Sequence, residues 1–153
     1  MTTAANSRVA QYLSVARFLM GFLFIQHGLE KIWGFAGGRI DLDFAHPHGW
    51  AGPIELAGGT LLMLGLFTRL TAFILCGEMA TAYFLSWAPR GFWPITNGGE
   101  LAVIDCYAFL WLVFAGGGPW SLDALIESRK KASESIPDRN RYGPDALAGG
   151  GSS

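Results

Sequence analysis

The segment GFLFIQHGLEK, residues 21–31, places three ionisable side chains within one and a half helical turns of an otherwise apolar stretch. His27, Glu30 and Lys31 share a helix face, because residues three and four apart are neighbours on a helix. In a bilayer, ionisable side chains are costly unless they are paired or face a cavity. If the chain lies in a membrane, these residues form a candidate site in which His27 donates a proton and Glu30 or Lys31 relays it.

The composition indicates a membrane protein. Of the 153 residues, 51% are hydrophobic and 15% are charged, whereas charged residues make up about 25% of a soluble domain. Charges are sparse over residues 18–120 and dense over residues 127–141. The net charge of -1 and the absence of a basic stripe argue against a nucleic-acid partner. We therefore expect a membrane domain surrounded by lipids and followed by a polar tail.

Apolar stretches separated by Gly- and Pro-rich loops predict an all-α fold, a four-transmembrane-helix bundle. We expect helices over residues 9–35, 52–69, 70–87 and 101–115. Asn6 or Ser7 is the predicted N-cap of the first helix, and Pro53 the first-turn proline of the second. Asn97 and Glu100 have the spacing of a capping box before the fourth. Several of these apolar stretches are shorter than the ~20 residues that usually span a bilayer.

The chain divides into four predicted parts. These are a cytoplasmic N-terminus (residues 1–8), a membrane domain (9–119), a short interfacial surface helix (120–131) and a disordered cytoplasmic tail (132–153). Eight of the eleven Lys and Arg residues fall on the side of the termini. Both termini are therefore expected in the cytoplasm, in a multi-pass protein of the cell (inner) membrane. The final GGGSS is either natural sequence or a linker.

The helical rise predicts that charged residues of different helices meet at common depths. Arg17 and Lys31 are fourteen residues apart, as are Glu55 and Arg69, which corresponds to about 21 Å of helix. Antiparallel neighbours would bring Lys31 level with Glu55. The predicted outer layer contains Glu30, Lys31, Glu55 and Glu100, and the layer beneath it contains His27, Glu78 and Asp105.

Other residues have predicted structural roles. We expect Arg17 to pair with Asp123 and to extend its charge towards the membrane surface. If Glu78 faces inward, Cys76 faces nearly the opposite way, which argues against a disulfide with Cys106. Gly28 and the pair Gly58-Gly59 are expected where helix backbones approach closely.

Six segments, taken together and in order, resemble a known family. They are RFLMGFLF, QHGLEKIWGF, GPIELAGGTLLMLGLFTRLTA, a third helix ending near Ala82, GFWPITNGGE and GGGPWSLD. With these segments, residues 17–123 resemble the DoxX family of small bacterial and archaeal membrane proteins. The resemblance implies a four-helix membrane bundle. Its matching positions are Arg17, His27, Lys31, Glu55, Arg69 and Glu100.

The resemblance also implies redox chemistry at the membrane. The founding member looks like the small subunit of a complex that passes electrons from thiosulfate to quinone. Other members are associated with quinone tolerance or with assembling thiol-redox and oxidant-defence partners. Catalysis by this chain itself does not follow from the resemblance. Glu78 and Asp105 lie outside the family pattern, so their role rests on the depth calculation.

These observations lead to one functional hypothesis and several rivals. The hypothesis is a small subunit or accessory of a quinone-linked redox system, working with protein partner subunits or as a homo-oligomer. In it His27, Glu78 and Asp105 are catalytic, and Glu30, Lys31, Glu55 and Glu100 bind the quinone head group. The main alternative is a non-enzymatic scaffold that recruits soluble redox or oxidant-defence enzymes through its tail.

Three further interpretations carry less support from the sequence. The cluster could be purely structural, with Lys31 paired to Glu55 and Glu100. A solute or proton pathway would need polar residues across the whole bilayer, and few lie in its inner half. A metal site is disfavoured because His27 alone offers an imidazole at this depth, so no metal ligand is assigned.

Overall fold

Six α-helices make up most of residues 2–134, the part of the chain that the computed structural model describes. They are α1 (Thr2–Trp33), α2 (Pro47–Leu64), α3 (Thr68–Ala82), α4 (Pro94–Asn97), α5 (Glu100–Ala115) and α6 (Leu122–Glu134). No strand occurs among these residues, so the all-α prediction is confirmed. The predicted disordered tail is helical at residues 132–134, and its remainder, with GGGSS, lies outside the described residues.

Helix α1 is longer at its start than the sequence predicted. Asn6 and Ser7 lie inside it and not at its N-cap, because the preceding alanines favour helix and nothing nearby breaks it. The helix ends at Gly34, whose φ of 68° is left-handed. Its amide donates to the carbonyl of Glu30 at 2.8 Å, which is a common way for a helix to end.

Helix α2 also begins before its predicted start. Pro47 takes the first-turn position that was predicted for Pro53, and Pro53 lies within the helix. Glu55 is therefore well inside α2 and cannot be stabilised by the free amides of a first turn. A left-handed Gly65 ends α2, and a short connection leads into α3.

The predicted capping box at the start of α5 is wrong. Gly99 is the N-cap, and no side chain caps this helix. Asn97 is buried instead, accepting a hydrogen bond from the Gly99 amide at 2.7 Å and donating one to the Gly91 carbonyl at 2.6 Å. It orders the loop before α5 and does not cap the helix.

The core lies between α1, α2, α3 and α5. Its fully buried members are Phe24, Leu62, Ala72, Leu75, Met79, Phe109 and Leu112. Helix α1 packs along α2, and α3 packs along α5. A Cβ on Gly28 would lie 2.6 Å from the amide nitrogen of Leu56, and one on Gly58 would lie 2.8 Å from the side chain of Leu75. The predicted close approach at these glycines is confirmed.

Two segments, Asn6–Trp33 and Thr68–Arg90, are long and apolar enough to cross a membrane. The second continues α3 through a π-helical turn (Tyr83–Trp87) and a 3-10 turn (Ala88–Arg90). Helix α5 has 16 residues, about 24 Å, which is less than the roughly 30 Å of a hydrocarbon core. The prediction of four spans therefore remains a prediction.

Candidate functional site

An ion pair joins α1 to α2 beneath the loop that connects them. Lys31, in the last turn of α1, donates to Oε1 of Glu55, whose side chain is 2% exposed. The other carboxylate oxygen of Glu55 is buried and has no hydrogen-bond partner within residues 2–134. The predicted common level of Lys31 and Glu55 is confirmed, and Glu55 keeps one acceptor oxygen for a further donor.

This ion pair forms one wall of a cavity of about 220 Å³, which we call the outer cavity. The outer cavity is lined by Phe24, His27, Lys31, Glu55, Met79, Trp87, Leu101, Ala102 and Asp105. The lining residues come from α1, α2, α3, α5 and the π-helical turn. Four residues predicted from the sequence, His27, Lys31, Glu55 and Asp105, therefore face the same space. The π-helical turn supplies Trp87, and such turns often occur at functional sites.

Glu78 is separated from this group. It lines a second cavity of about 340 Å³, together with His48 and Trp50, and its Oε2 atom is buried without a hydrogen-bond partner in the described part of the chain. The next residue, Met79, faces the outer cavity instead. Consecutive helical residues are about 100° apart, so a calculation of depth alone does not determine which of them faces the site.

The remaining two predicted residues lie at the edge of the site. His27 Nδ1 is 3.7 Å from Glu30 Oε2, and both side chains are nearly half exposed. Glu30 does not line the outer cavity, but it reaches His27 from the side open to solvent. Glu100 is exposed at the first residue of α5 and does not line the cavity either.

The lining of the outer cavity combines donors, acceptors and aromatic rings. Lys31 and His27 can donate hydrogen bonds, and Glu55 and Asp105 can accept them. The Phe24 ring stands edge-on to the His27 ring, with centroids 6.0 Å apart. A cavity of about 150 Å³ suffices for benzene in an engineered protein core. The outer cavity can therefore hold one small ring that carries carbonyl or hydroxyl groups.

Metal binding has no support from the geometry. Within residues 2–134, no group of three or more His, Cys, Asp and Glu side chains is arranged to hold a metal ion. His46 contacts Asp43 at 2.7 Å in the exposed loop before α2. This hydrogen bond lowers the pKa of the Asp43 carboxyl below its usual range.

The opposite end of the bundle contains a buried arginine whose role the sequence did not reveal. Arg17 is 2% exposed. Its guanidinium donates to the carbonyls of Leu62, Met63, Gly117 and Trp120, the last three at 2.8 Å. The predicted pairing with Asp123 is wrong, because the guanidinium binds the carbonyl end of α2 and the GGGPW loop instead.

Asp123 has a different function. Its carboxylate accepts hydrogen bonds from the amides of Phe67 and Thr68, both at 2.8 Å, and so caps α3. Ser14 Oγ accepts a hydrogen bond from the Trp120 amide at 3.1 Å. Together with Arg17, these contacts tie α1, the α2–α3 connection and the start of α6 into one unit. The motif GGGPWSLD was the signal for this arrangement, since it combines free backbone carbonyls with an acidic residue.

The two cysteines are in contact, contrary to the prediction. Cys76 Sγ on α3 lies 3.5 Å from Cys106 Sγ on α5, and both are free thiols. The predicted angle between Cys76 and Glu78 was reasonable. Because Glu78 faces the second cavity, however, Cys76 is turned towards α5.

Helices that expose many apolar side chains and bury charged ones are characteristic of a membrane protein. Phe18, Phe22 and Leu23 on α1 are 47%, 48% and 55% exposed, whereas Arg17 and Glu55 are each 2% exposed. The family model for DoxX matches residues 12–87, and the model described as "TQO small subunit DoxD" matches residues 50–137. The chain belongs to the DoxX family of small membrane proteins, as the sequence segments predicted.

Curated relatives agree with this assignment. An uncharacterized protein of Haemophilus influenzae is 44% identical over 118 residues, which cover 73% of this chain and 88% of the relative. Inner membrane protein YqjF of Escherichia coli is 32% identical over 121 residues, covering 75% and 92%. An uncharacterized membrane protein of Mycobacterium tuberculosis is 27% identical over 141 residues, covering 76% and 82%. No solved structure matches the chain.

Proposed function

We propose that this chain is a small subunit or accessory protein of a quinone-linked redox system, with a quinone head-group site in the outer cavity. The observation that carries the proposal is the cavity itself, which brings His27, Lys31, Glu55 and Asp105 together beside two aromatic rings. The match to the DoxD model adds support, since that description refers to the small subunit of a thiosulfate:quinone oxidoreductase.

The proposed topology places α1, α2, α3 and α5 across the inner membrane. Arg17 and Arg69 lie at one end of the bundle, near α6, which carries Arg129, Lys130 and Lys131. Basic residues concentrate on the cytoplasmic side of membrane proteins, so both termini are assigned to the cytoplasm. The outer cavity then opens towards the other side, and partner subunits or a second copy of the chain would complete the complex.

In this proposal each residue of the outer cavity has a stated task. Lys31 and His27 hydrogen-bond a carbonyl oxygen of the ring, while Glu55 Oε2 and Asp105 accept from a hydroxyl. Phe24 and Trp87 pack against the ring. A bound quinone supplies a two-electron, two-proton acceptor.

The residues at the edge of the cavity would supply protons. His27 can pass a proton between the cavity and Glu30, which is nearly half exposed. Glu78 is close enough to Asp105 and Glu55 to interact with them electrostatically. It is assigned to proton transfer from the second cavity, and Glu100 contributes negative charge at the outer end of α5.

Binding of a short-chain ubiquinone to the purified protein in phospholipid nanodiscs tests the proposal. His27→Leu removes one buried hydrogen bond, which is worth about 1–3 kcal/mol and hence about tenfold or more in Kd. His46→Leu is the matched control, because His46 lies in the exposed loop and does not line the outer cavity. Equal quinone affinity of both variants and the wild type would refute the head-group site.

The scaffold function is a second candidate because α6 exposes apolar side chains. Leu125 and Ile126 are 46% and 55% exposed on this helix, which suits either the membrane surface or a soluble partner. Deleting residues 122–153 would then abolish capture of a soluble redox enzyme and leave quinone affinity unchanged. Retained capture together with His27-dependent quinone binding would favour the redox subunit.

A further inference from the structure

The thiols of Cys76 and Cys106 form a pair with the geometry of a potential disulfide. Their sulfur atoms are 3.5 Å apart, so an S–S bond of about 2.05 Å needs an approach of only about 1.5 Å. Both side chains are partly exposed and pack against the core from α3 and α5. These are the only cysteines of the chain, so no other pairing within one molecule competes.

One member of the pair faces a groove that opens to the outside of the bundle. The groove has a volume of about 440 Å³, and Cys106 lines it whereas Cys76 lies behind. Its walls include Val103, Tyr83, Phe84, Phe92, Trp93 and Tyr107. We call this space the aromatic groove. A reactant in the lipid can therefore reach Cys106 first, with Cys76 in contact as the second thiol.

We propose that Cys76 and Cys106 are a redox-active dithiol that a lipid-soluble quinone oxidises through the aromatic groove. Both S–H bonds break and one S–S bond forms between Cys76 and Cys106. The two electrons and two protons released pass to the two carbonyl oxygens of the quinone, which becomes a quinol. Atoms and charge balance without a further reactant. The inference rests on residues other than those of the outer cavity, so it goes beyond the function proposed above.

The lining of the groove decides in favour of a quinone as the oxidant. No Asp, Glu, Lys or Arg lines it, so a charged oxidant such as a disulfide peptide would find no complementary group. Aromatic side chains instead offer faces and edges to a planar ring. Phe84, Phe92 and Trp93 are 61–67% exposed and stand where lipid would contact them. A quinone dissolved in the bilayer is the redox reagent that fits this apolar surface.

The test uses the full chain in phospholipid nanodiscs, reduced, freed of reductant and kept under argon. Decylubiquinone is added in equal amount, and three quantities are measured: thiols that react with maleimide, quinol absorbance, and the species on a non-reducing gel. We expect the two thiols to disappear together with formation of one quinol per chain, and the disulfide to lie within one molecule. Cys76→Ser and Cys106→Ser should each keep one reactive thiol and form no quinol.

A matched pair of variants tests access through the groove. Val103→Trp fills the groove and should slow the reaction about tenfold or more, since reacting atoms must come within about 3–3.5 Å. Ile104→Trp, the same change at a neighbouring exposed position that does not line the groove, should leave the rate unchanged. Diamide, a small chemical oxidant, should still close the disulfide in both variants, which shows that the thiols remain in place.

Several results would overturn the inference. One is persistence of both thiols with quinone in wild-type protein that diamide does oxidise. Another is a disulfide between two chains instead of within one. His27→Leu should oxidise at the wild-type rate, because the outer cavity is not the route. Loss of the reaction in that variant would overturn the aromatic groove as the entry, whereas loss of quinone affinity alone would bear on the outer cavity only.

Discussion

Replacement of Arg17 by methionine is expected to destabilise the bundle more than any other single change at a charged residue near the cytoplasmic end. The side chain is buried, and its guanidinium donates to the carbonyls of Leu62, Met63, Gly117 and Trp120. Methionine has a similar length and keeps much of the packing. It removes all of the donors and the charge.

The magnitude follows from the acceptors left behind. The Leu62 carbonyl keeps a hydrogen bond from the Gly65 amide at 3.0 Å, while the other three carbonyls lose donors at 2.8 Å. A buried acceptor without a partner costs about 1–3 kcal/mol. Partial rehydration of these part-buried groups reduces the sum. Losing the buried guanidinium as a charged partner should therefore cost about 3–5 kcal/mol, as for other buried charged groups.

The free energy of unfolding can be measured in mixed micelles by titration with sodium dodecyl sulfate, followed by tryptophan fluorescence. Arg17→Lys should lose about 2 kcal/mol, since one ammonium cannot reach carbonyls on both sides of the planar guanidinium. Arg69→Met is the control. Arg69 is exposed and donates to a single carbonyl, that of Val113 at 3.0 Å, so the loss should stay near 1 kcal/mol. Equal losses for Arg17→Met and Arg69→Met would refute the reasoning.

Three further changes can be measured by the same unfolding titration. Lys31→Met should cost about 3–5 kcal/mol because it leaves the buried carboxylate of Glu55 without its cation, and a second change, Glu55→Met, should restore most of the loss. Gly28→Ala should cost about 1–3 kcal/mol because its methyl group would meet the backbone of α2. Gly77→Ala, which has open space around the added Cβ, should instead stabilise α3 by up to about 1 kcal/mol. Asp123→Ala should cost about 1–2 kcal/mol and speed amide hydrogen exchange at the start of α3, because two backbone donors lose their acceptor.

Each of these predictions has an outcome that contradicts it. Additive effects of Lys31→Met and Glu55→Met would show that the two side chains do not act as a pair. Equal effects of Gly28→Ala and Gly77→Ala would contradict the close approach of α1 and α2. Unchanged exchange at the start of α3 in Asp123→Ala would show that this carboxylate does not cap the helix.

Much of the helical architecture could be predicted from local sequence. Apolar stretches separated by Gly- and Pro-rich loops identified α1, α2, α3 and α5, since these patterns act within one or two turns. The ends of the helices were less predictable. Pro47 and Pro53 are both compatible with a first turn, and only the path of the preceding loop selects Pro47. Asn97 has the spacing of a capping residue, but burial against Tyr83 and the Gly91 carbonyl gives its amide other partners.

The candidate site was predicted in part for a similar reason. The rise of 1.5 Å per residue makes depth additive along a helix, which explains why Lys31 and Glu55 were correctly placed at one level. Rotation about the helix axis is less certain, because a small error in the assumed facing direction moves a side chain to a neighbouring groove. Glu78 consequently lines the second cavity, and Cys76 meets Cys106.

The sequence by itself determined that this chain is a small all-α membrane protein of the DoxX family, with ionisable residues at matched heights on different helices. The tertiary structure alone decided which of them meet: His27 with Asp105 across the outer cavity, Arg17 with backbone carbonyls instead of Asp123. Height along a helix is a local property of the chain. Contact across helices depends on their relative rotation, and this is set by close packing at glycines such as Gly28 and by the whole core together.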